Sequence, residues 1–108
     1  MKAPISEFSD KFIELMNNRM HQSYYKYGPI KKAYPFKVDA IKSLKVAIDK
    51  YQATGNTEYL VDAANYAMIE FMLPSRSDAY FESTDSGGSA GRVWCKGGRP
   101  NQKDNDAD

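Results

Sequence analysis

Two segments with helical apolar patterns follow each other with almost no chain between them, and this constrains the fold more than any other feature. In residues 37–54, apolar side chains recur every three or four positions, which places them on one face of a helix. Residues 57–73 are apolar around nearly the whole circumference of a helix. The link 54–56 reads Thr-Gly-Asn, which supplies an end signal and a start signal. So short a connection predicts an antiparallel helical hairpin with its second helix at the centre of a bundle.

A third apolar stripe lies near the N-terminus. Large apolar side chains recur at helical spacing after Ser6, which is a plausible N-cap, and the pattern predicts a helix over about 6–22. Residues 24–35 contain Pro29 and end at Pro35, and they are predicted to form an ordered loop. The fold class is therefore an all-α, small helical bundle.

The C-terminal part of the chain has a different composition. Five of the seven glycines come after Thr84, which divides the chain into a helical domain, 1–83, and a glycine-rich, mostly irregular tail, 84–108. Residues 79–81, Ala-Tyr-Phe, fit a short strand or an extended packing segment. The single cysteine excludes an internal disulfide framework, and no apolar run is long enough to span a membrane. We expect a cytoplasmic protein without a membrane partner.

Charge is distributed unevenly along the chain. Residues 19–50 carry a local charge of +6, whereas residues 51–108 carry −4, within a net charge of +1. Such a chain can present a basic face to an anion or associate with itself, so a homo-oligomer is one expectation. The near-neutral total disfavours avid binding of duplex nucleic acid.

Three polar residues interrupt the apolar segment 57–73. Glu58, Asp62 and Asn65 are spaced so that they form one stripe along a helix. Since an unpaired carboxylate is costly to bury, the stripe requires a cation, a hydrogen-bond donor or a metal. In a functional interpretation, Glu58 and Asp62 bind Mg²⁺, which in turn holds phosphates. In a structural interpretation, the helix dipole favours Glu58 while Asp62 pairs with Lys42, Lys45 or tyrosine hydroxyls.

The run Glu-Tyr-Leu-Val-Asp-Ala-Ala-Asn-Tyr at 58–66 resembles the third-helix segment of MazG-like all-α nucleoside triphosphate pyrophosphohydrolases. The resemblance implies Mg²⁺ ligation by Glu58 and Asp62 and a nucleotide substrate. The family also carries a Glu-x-x-Glu metal pair on the preceding helix, whereas residues 37–51 contain no glutamate here.

A broader resemblance covers most of residues 5–93. The runs at 14–20, 26–29, 55–62 and 84–86 are similar to those of uncharacterised small proteins of bacteriophages and other mobile elements. This resemblance implies a provenance and no particular mechanism.

A basic and aromatic segment around residue 27 is the second candidate site. Aromatic faces stack on nucleobases and lysines bind phosphates, so this mixture is typical of nucleotide or single-strand sites. In the alternative interpretation, the tyrosines close one end of the bundle with their hydroxyls at the rim. The segment contains His21, Tyr24, Tyr25, Lys26, Tyr27, Lys31, Lys32 and Tyr34. The candidate ligand-binding residues among them are Tyr24, Tyr25, Lys26, Tyr27, Lys31 and Lys32.

The segment 83–92 is a third candidate, because backbone amides near glycine can surround an anion that Arg92 then binds. In the alternative interpretation, it is a solvated linker. No Gly-Lys-Ser/Thr follows, so the segment is not a phosphate-binding P-loop.

These patterns support two functional hypotheses. The first is a non-enzymatic accessory protein of a phage or mobile element. It binds a host protein or a small anionic, nucleotide-like ligand, and anti-defence activity is one such role. The alternative is a Mg²⁺-dependent, MazG-like nucleotide pyrophosphohydrolase, the only case in which the chain needs a cofactor.

Overall fold

Three α-helices make up the part of the chain that the computed structural model describes, residues 2–84. They are α1 (Asp10–Tyr27), α2 (Ala40–Thr54) and α3 (Glu58–Met72), and short 3-10 turns lie before α1 and between α1 and α2. No β-strand occurs within residues 2–84, which confirms the all-α class. The predicted tail, apart from its first residue, lies outside the described residues.

The N-cap of helix α1 lies three residues after the cap that the sequence indicates. Its N-cap is Ser9, whose Oγ accepts a hydrogen bond of 2.9 Å from the Phe12 amide. Ser6, the predicted cap, lies in the preceding 3-10 turn and bonds the Glu7 carboxylate instead. The predicted start at residue 6 is therefore wrong, because Ser9 offers its oxygen to an amide at the correct spacing.

The same helix also runs further than predicted, through the first four residues of the expected loop 24–35. It ends at Gly28, where φ is +85° and the amide donates to the Tyr24 carbonyl over 2.8 Å. Pro29 restricts only the residue before it, so the tyrosines stay helical and the glycine alone takes the non-helical backbone.

The predicted hairpin is present. Asp39 caps α2 by accepting from the Lys42 amide over 2.9 Å, so the helix begins at Ala40 rather than at residue 37. Gly55 ends α2 in the left-handed conformation with φ +77°. Asn56 Oδ1 then accepts from the Glu58 amide over 3.0 Å at the start of α3.

Helix α3 is the central element, as its apolar circumference predicts. It contributes four of the six buried residues in the described chain, α2 contributes two, and α1 contributes none. Alanines on α2 and α3 let these helices approach closely, whereas α1 lies across α3 through half-buried side chains. The buried residues are Ala40, Ala47, Val61, Ala63, Asn65 and Ile69.

Residues 79–81 form no strand and do not pack on the bundle. They are irregular and exposed in the structure, so neither predicted form of this segment is present. In the described part of the chain, no helix has both the length and the apolar character that membrane crossing requires.

Candidate functional site

The two carboxylates of α3 meet a cation from α1. Arg19 Nη1 lies 3.0 Å from Glu58 Oε2. The same guanidinium contacts Asp62 through Nε, 3.2 Å from Oδ1, and through Nη2, 3.2 Å from Oδ1 and 3.5 Å from Oδ2. Because Glu58 and Asp62 lie one helical turn apart, the planar fork of one arginine reaches both.

This ion-pair network supplies the positive partner that the sequence predicts for Glu58 and Asp62. The partner of Asp62 is Arg19 rather than the Lys42 or Lys45 expected in the structural interpretation. Within residues 2–84, no three His, Cys, Asp or Glu side chains converge as a metal-binding group. A cation binding at Glu58 and Asp62 therefore has to compete with the guanidinium.

Asn65, the third member of the polar stripe, is buried, with 5% of its surface exposed. Its Nδ2 donates to the Met16 carbonyl on α1 over 3.1 Å. A carbonyl cannot donate, so this contact fixes which end of the amide faces α1. The other end, Oδ1, is buried without a hydrogen-bond donor.

A cleft of about 530 Å³ lies beside Asn65, between α1, α3 and residues 28–38. Its walls combine aromatic rings, a lysine, and the polar end of α3. Concave sites of this size that carry a few polar groups are typical of small-molecule binding. The lining side chains with chemical relevance are Lys26, Tyr27, Tyr34, Asp62, Asn65 and Tyr66.

Tyr34 is held in its neutral form within the cleft. Burial raises the pKa of its hydroxyl above the ordinary value of 10.0, and the neighbouring Tyr66 hydroxyl raises it further. At neutral pH the Tyr34 O–H is therefore a hydrogen-bond donor.

A second concavity, here called the groove, lies where the C-terminal half of α1 meets the end of α3. It has a volume of about 580 Å³ and mostly apolar walls, with His21 and Lys31 among the polar side chains that line it. The groove and the cleft share Met20 and residues 28–30. The apolar side chains of the groove are Met20, Tyr24, Ile30, Met72 and Leu73.

The structure divides the predicted basic and aromatic site between these two concavities. Lys26 and Tyr27 line the cleft, whereas Tyr24 and Lys31 line the groove. Tyr25 lines neither, although its ring packs edge-on against His21 at 4.9 Å between centroids. Two further candidates lie elsewhere: Lys32 is exposed in the 3-10 turn, and Arg92 lies outside the described residues.

Sequence reasoning did not assign Arg19 or Tyr66 to a site, and it placed Tyr34 in the basic and aromatic segment without naming it as a ligand-binding residue. Arg19 is one of eight basic residues in the segment 19–50, and the sequence pattern does not distinguish it from the others. Tyr66 follows Asn65 directly, and this adjacency to the polar stripe was the available signal.

Comparison of the chain with protein-family models, with curated proteins and with solved structures finds no match. The two resemblances noted from the sequence therefore stay predictions, and the site has to be interpreted from its own chemistry.

Proposed function

We propose that the protein binds a small anionic, nucleotide-like ligand in the cleft and that it does so without catalysis. The observation that carries the proposal is the cleft itself, whose lining combines aromatic rings, a lysine and the side chain of Asn65 with its buried, unpaired Oδ1. A nucleobase, a sugar and a phosphate together fit a cleft of about 530 Å³.

The base end of the cleft is defined by Asn65. A buried acceptor without a donor costs about 1–3 kcal/mol, and a shift of the Asn65 side chain that brings Oδ1 to a ligand N–H offsets this cost. Tyr27 and Tyr66 also line the cleft and supply rings on which a planar base can stack. A base that carries an amino group therefore matches this end.

The phosphate end is defined by Lys26 and by the neutral Tyr34 hydroxyl, both of which line the cleft. An ammonium group binds phosphate as a point charge, and a protonated phenol adds a hydrogen bond. Arg19 already pairs with Glu58 and Asp62. Lys26 is therefore the cation that is available to a phosphate at this end of the cleft.

Calorimetric titration with AMP, CMP and their nucleosides tests the proposal. We expect each nucleotide to bind more tightly than its nucleoside, because only the nucleotide contacts Lys26. Lys26→Ala should weaken nucleotide binding about tenfold, equivalent to about 1.4 kcal/mol, and leave nucleoside binding unchanged. Lys45→Ala is the matched control, since Lys45 is an exposed lysine on α2 that does not line the cleft.

The role of Asn65 is tested from the ligand side, which leaves the protein intact. Purine riboside monophosphate lacks the amino group of AMP, and we expect it to bind about tenfold more weakly. Equal affinity for the two compounds, or no heat with any nucleotide, contradicts the proposal.

A Mg²⁺-dependent nucleotide pyrophosphohydrolase is the second candidate. Two observations favour it: Glu58 and Asp62 contact the same guanidinium, so their carboxylates lie close together, and Asp62 lines the cleft. Under this hypothesis, Glu58→Gln and Asp62→Asn each abolish Mg²⁺-dependent pyrophosphate release from nucleoside triphosphates. Absence of release from the wild-type protein eliminates the hypothesis.

A further inference from the structure

The chain after α3 is held in a defined turn. Ser75 donates twice to Glu70 Oε2, from its amide and from its hydroxyl, each over 2.8 Å. Arg76 then forms a forked pair with Asp78, at 2.8 Å through Nε and 2.7 Å through Nη2. The two bonds to Glu70 tie Ser75 to the last turn of α3, whereas the Arg76–Asp78 pair is local to the exposed turn.

Residues 79–84, here called the arm, begin with two large aromatic side chains that touch little of the bundle. Tyr80 is 83% exposed and Phe81 is 85% exposed. Single exposed apolar residues are ordinary, but two exposed aromatic side chains at successive positions favour contact with another surface.

The groove offers a complementary surface on the same molecule. Its walls are apolar, and Met72 and Leu73 at the end of α3 form part of them. His21 and Lys31 line it as well, so a segment that carries an acid next to aromatic rings fits it by charge and by polarity. The arm has this composition, because Glu82 follows Tyr80 and Phe81 directly.

We infer that the arm of one copy of this chain fills the groove of a second copy, and that the second copy reciprocates. The two aromatic rings enter the apolar groove, and Glu82 approaches Lys31. The arm touches little of its own bundle, since Tyr80 and Phe81 are 83% and 85% exposed, and this favours a second copy over the chain's own groove. The arrangement is isologous and closes as a two-fold symmetric dimer.

The arms supply part of the area that a stable pair needs. A buried aromatic side chain removes roughly 150–250 Å² from water, so the four aromatic rings of two arms remove about 600–1,000 Å². Specific interfaces begin at approximately 1,200 Å², so the groove walls have to supply the remainder and the pair lies near the lower size limit.

Light scattering coupled to gel filtration, together with sedimentation equilibrium of the full chain over a hundredfold concentration range, tests the inference. We expect a dimer for the wild type, and at least a tenfold higher dissociation constant for the double variant Tyr80→Ser, Phe81→Ser. Phe36→Ser is the matched control, since Phe36 is 95% exposed but belongs to neither the arm nor the groove. Circular dichroism verifies that each variant stays helical.

A charge exchange gives a second measurement that does not remove apolar surface. Lys31→Glu and Glu82→Lys should each weaken the dimer, by about fivefold to tenfold, and the two changes combined in one chain should restore it. A monomeric wild type over the whole range overturns the inference. A dimer that is indifferent to the arm variants also overturns it, because the interface then lies elsewhere.

Discussion

At the scale of single residues, Arg19 is the side chain that pairs α1 with the two acidic residues of α3. Glu58 and Asp62 are like charges one helical turn apart, which by themselves destabilise the start of α3. Arg19 neutralises both and joins α1 to α3 over a contact of 43 positions in sequence. The Asp62 side chain is only 21% exposed, so this carboxylate depends on its partner more than a surface acid does.

We therefore expect Arg19→Ala to lower the free energy of unfolding by about 1–3 kcal/mol, because it leaves a partly buried carboxylate unpaired. Urea denaturation measures the change. Lys11→Ala is the matched control: Lys11 pairs with Glu14 at 3.8 Å and both side chains are largely exposed, so its loss should change stability by less than about 1 kcal/mol.

Asp62→Asn in the Arg19→Ala background should recover part of the lost stability, since it removes the unpaired charge. If the double variant is no more stable than Arg19→Ala, the carboxylate is not the source of the loss.

The sequence predicted at this scale that the acids of α3 need a positive partner, and it could not identify which one. Lys42 and Lys45 lie on the helix that forms a hairpin with α3, so they were the nearer candidates along the chain. The choice of Arg19 depends on where α1 crosses α3, and no local pattern encodes that position. The unpaired state of Asn65 Oδ1 is equally invisible in sequence, because it results from the single contact with Met16.

At the scale of elements, capping chemistry decides where each helix begins and ends. Ser6, the predicted cap, and Ser9, the observed cap, lie three residues apart and each precedes an acidic residue. In the structure, the Ser9 hydroxyl accepts from a helix amide, while the Ser6 hydroxyl does not. The two serines therefore form a natural pair for comparison.

Ser9→Ala should reduce the free energy of unfolding by about 1 kcal/mol, because the Phe12 amide loses its acceptor. Ser6→Ala should leave stability within about 0.5 kcal/mol of the wild type, since its hydroxyl bonds only an exposed neighbouring carboxylate. Thermal and urea unfolding followed by circular dichroism distinguish the two variants. A larger effect at Ser6 than at Ser9 contradicts the assigned start of α1.

The hairpin was predictable because all its determinants are local: an apolar repeat, a glycine at the C-terminal end and a capping asparagine. The far end of α1 was not, because aromatic residues and lysine are compatible with both helix and loop. Gly28 resolves the ambiguity, and its backbone conformation, with φ +85°, is one that only the folded chain reveals.

At the scale of the whole molecule, the described chain has a thin core. Five apolar residues are buried among residues 2–84, and three of them are alanines, which contribute little transfer free energy each. Helix α1 buries no residue fully. Small domains that bury so few residues are usually stabilised further by binding or oligomerisation, and association with a second copy is one such interaction.

The thermal midpoint of unfolding should therefore depend on protein concentration. If unfolding is coupled to dissociation of a pair, each tenfold increase in concentration should raise Tm by roughly 3–6 °C in a domain of this size. Differential scanning calorimetry over a hundredfold range measures the dependence. A constant Tm would show that the monomer is stable by itself in spite of its thin core.

Residues 28–30 form a wall common to the cleft and the groove. Any ligand that shifts this wall also alters the surface on which the arm of a partner rests. Thermodynamic linkage then requires reciprocity: if nucleotide changes the dimer dissociation constant by some factor, dimerisation changes nucleotide affinity by the same factor. The three residues that follow α1 thus connect the proposed ligand site to the proposed interface between two copies.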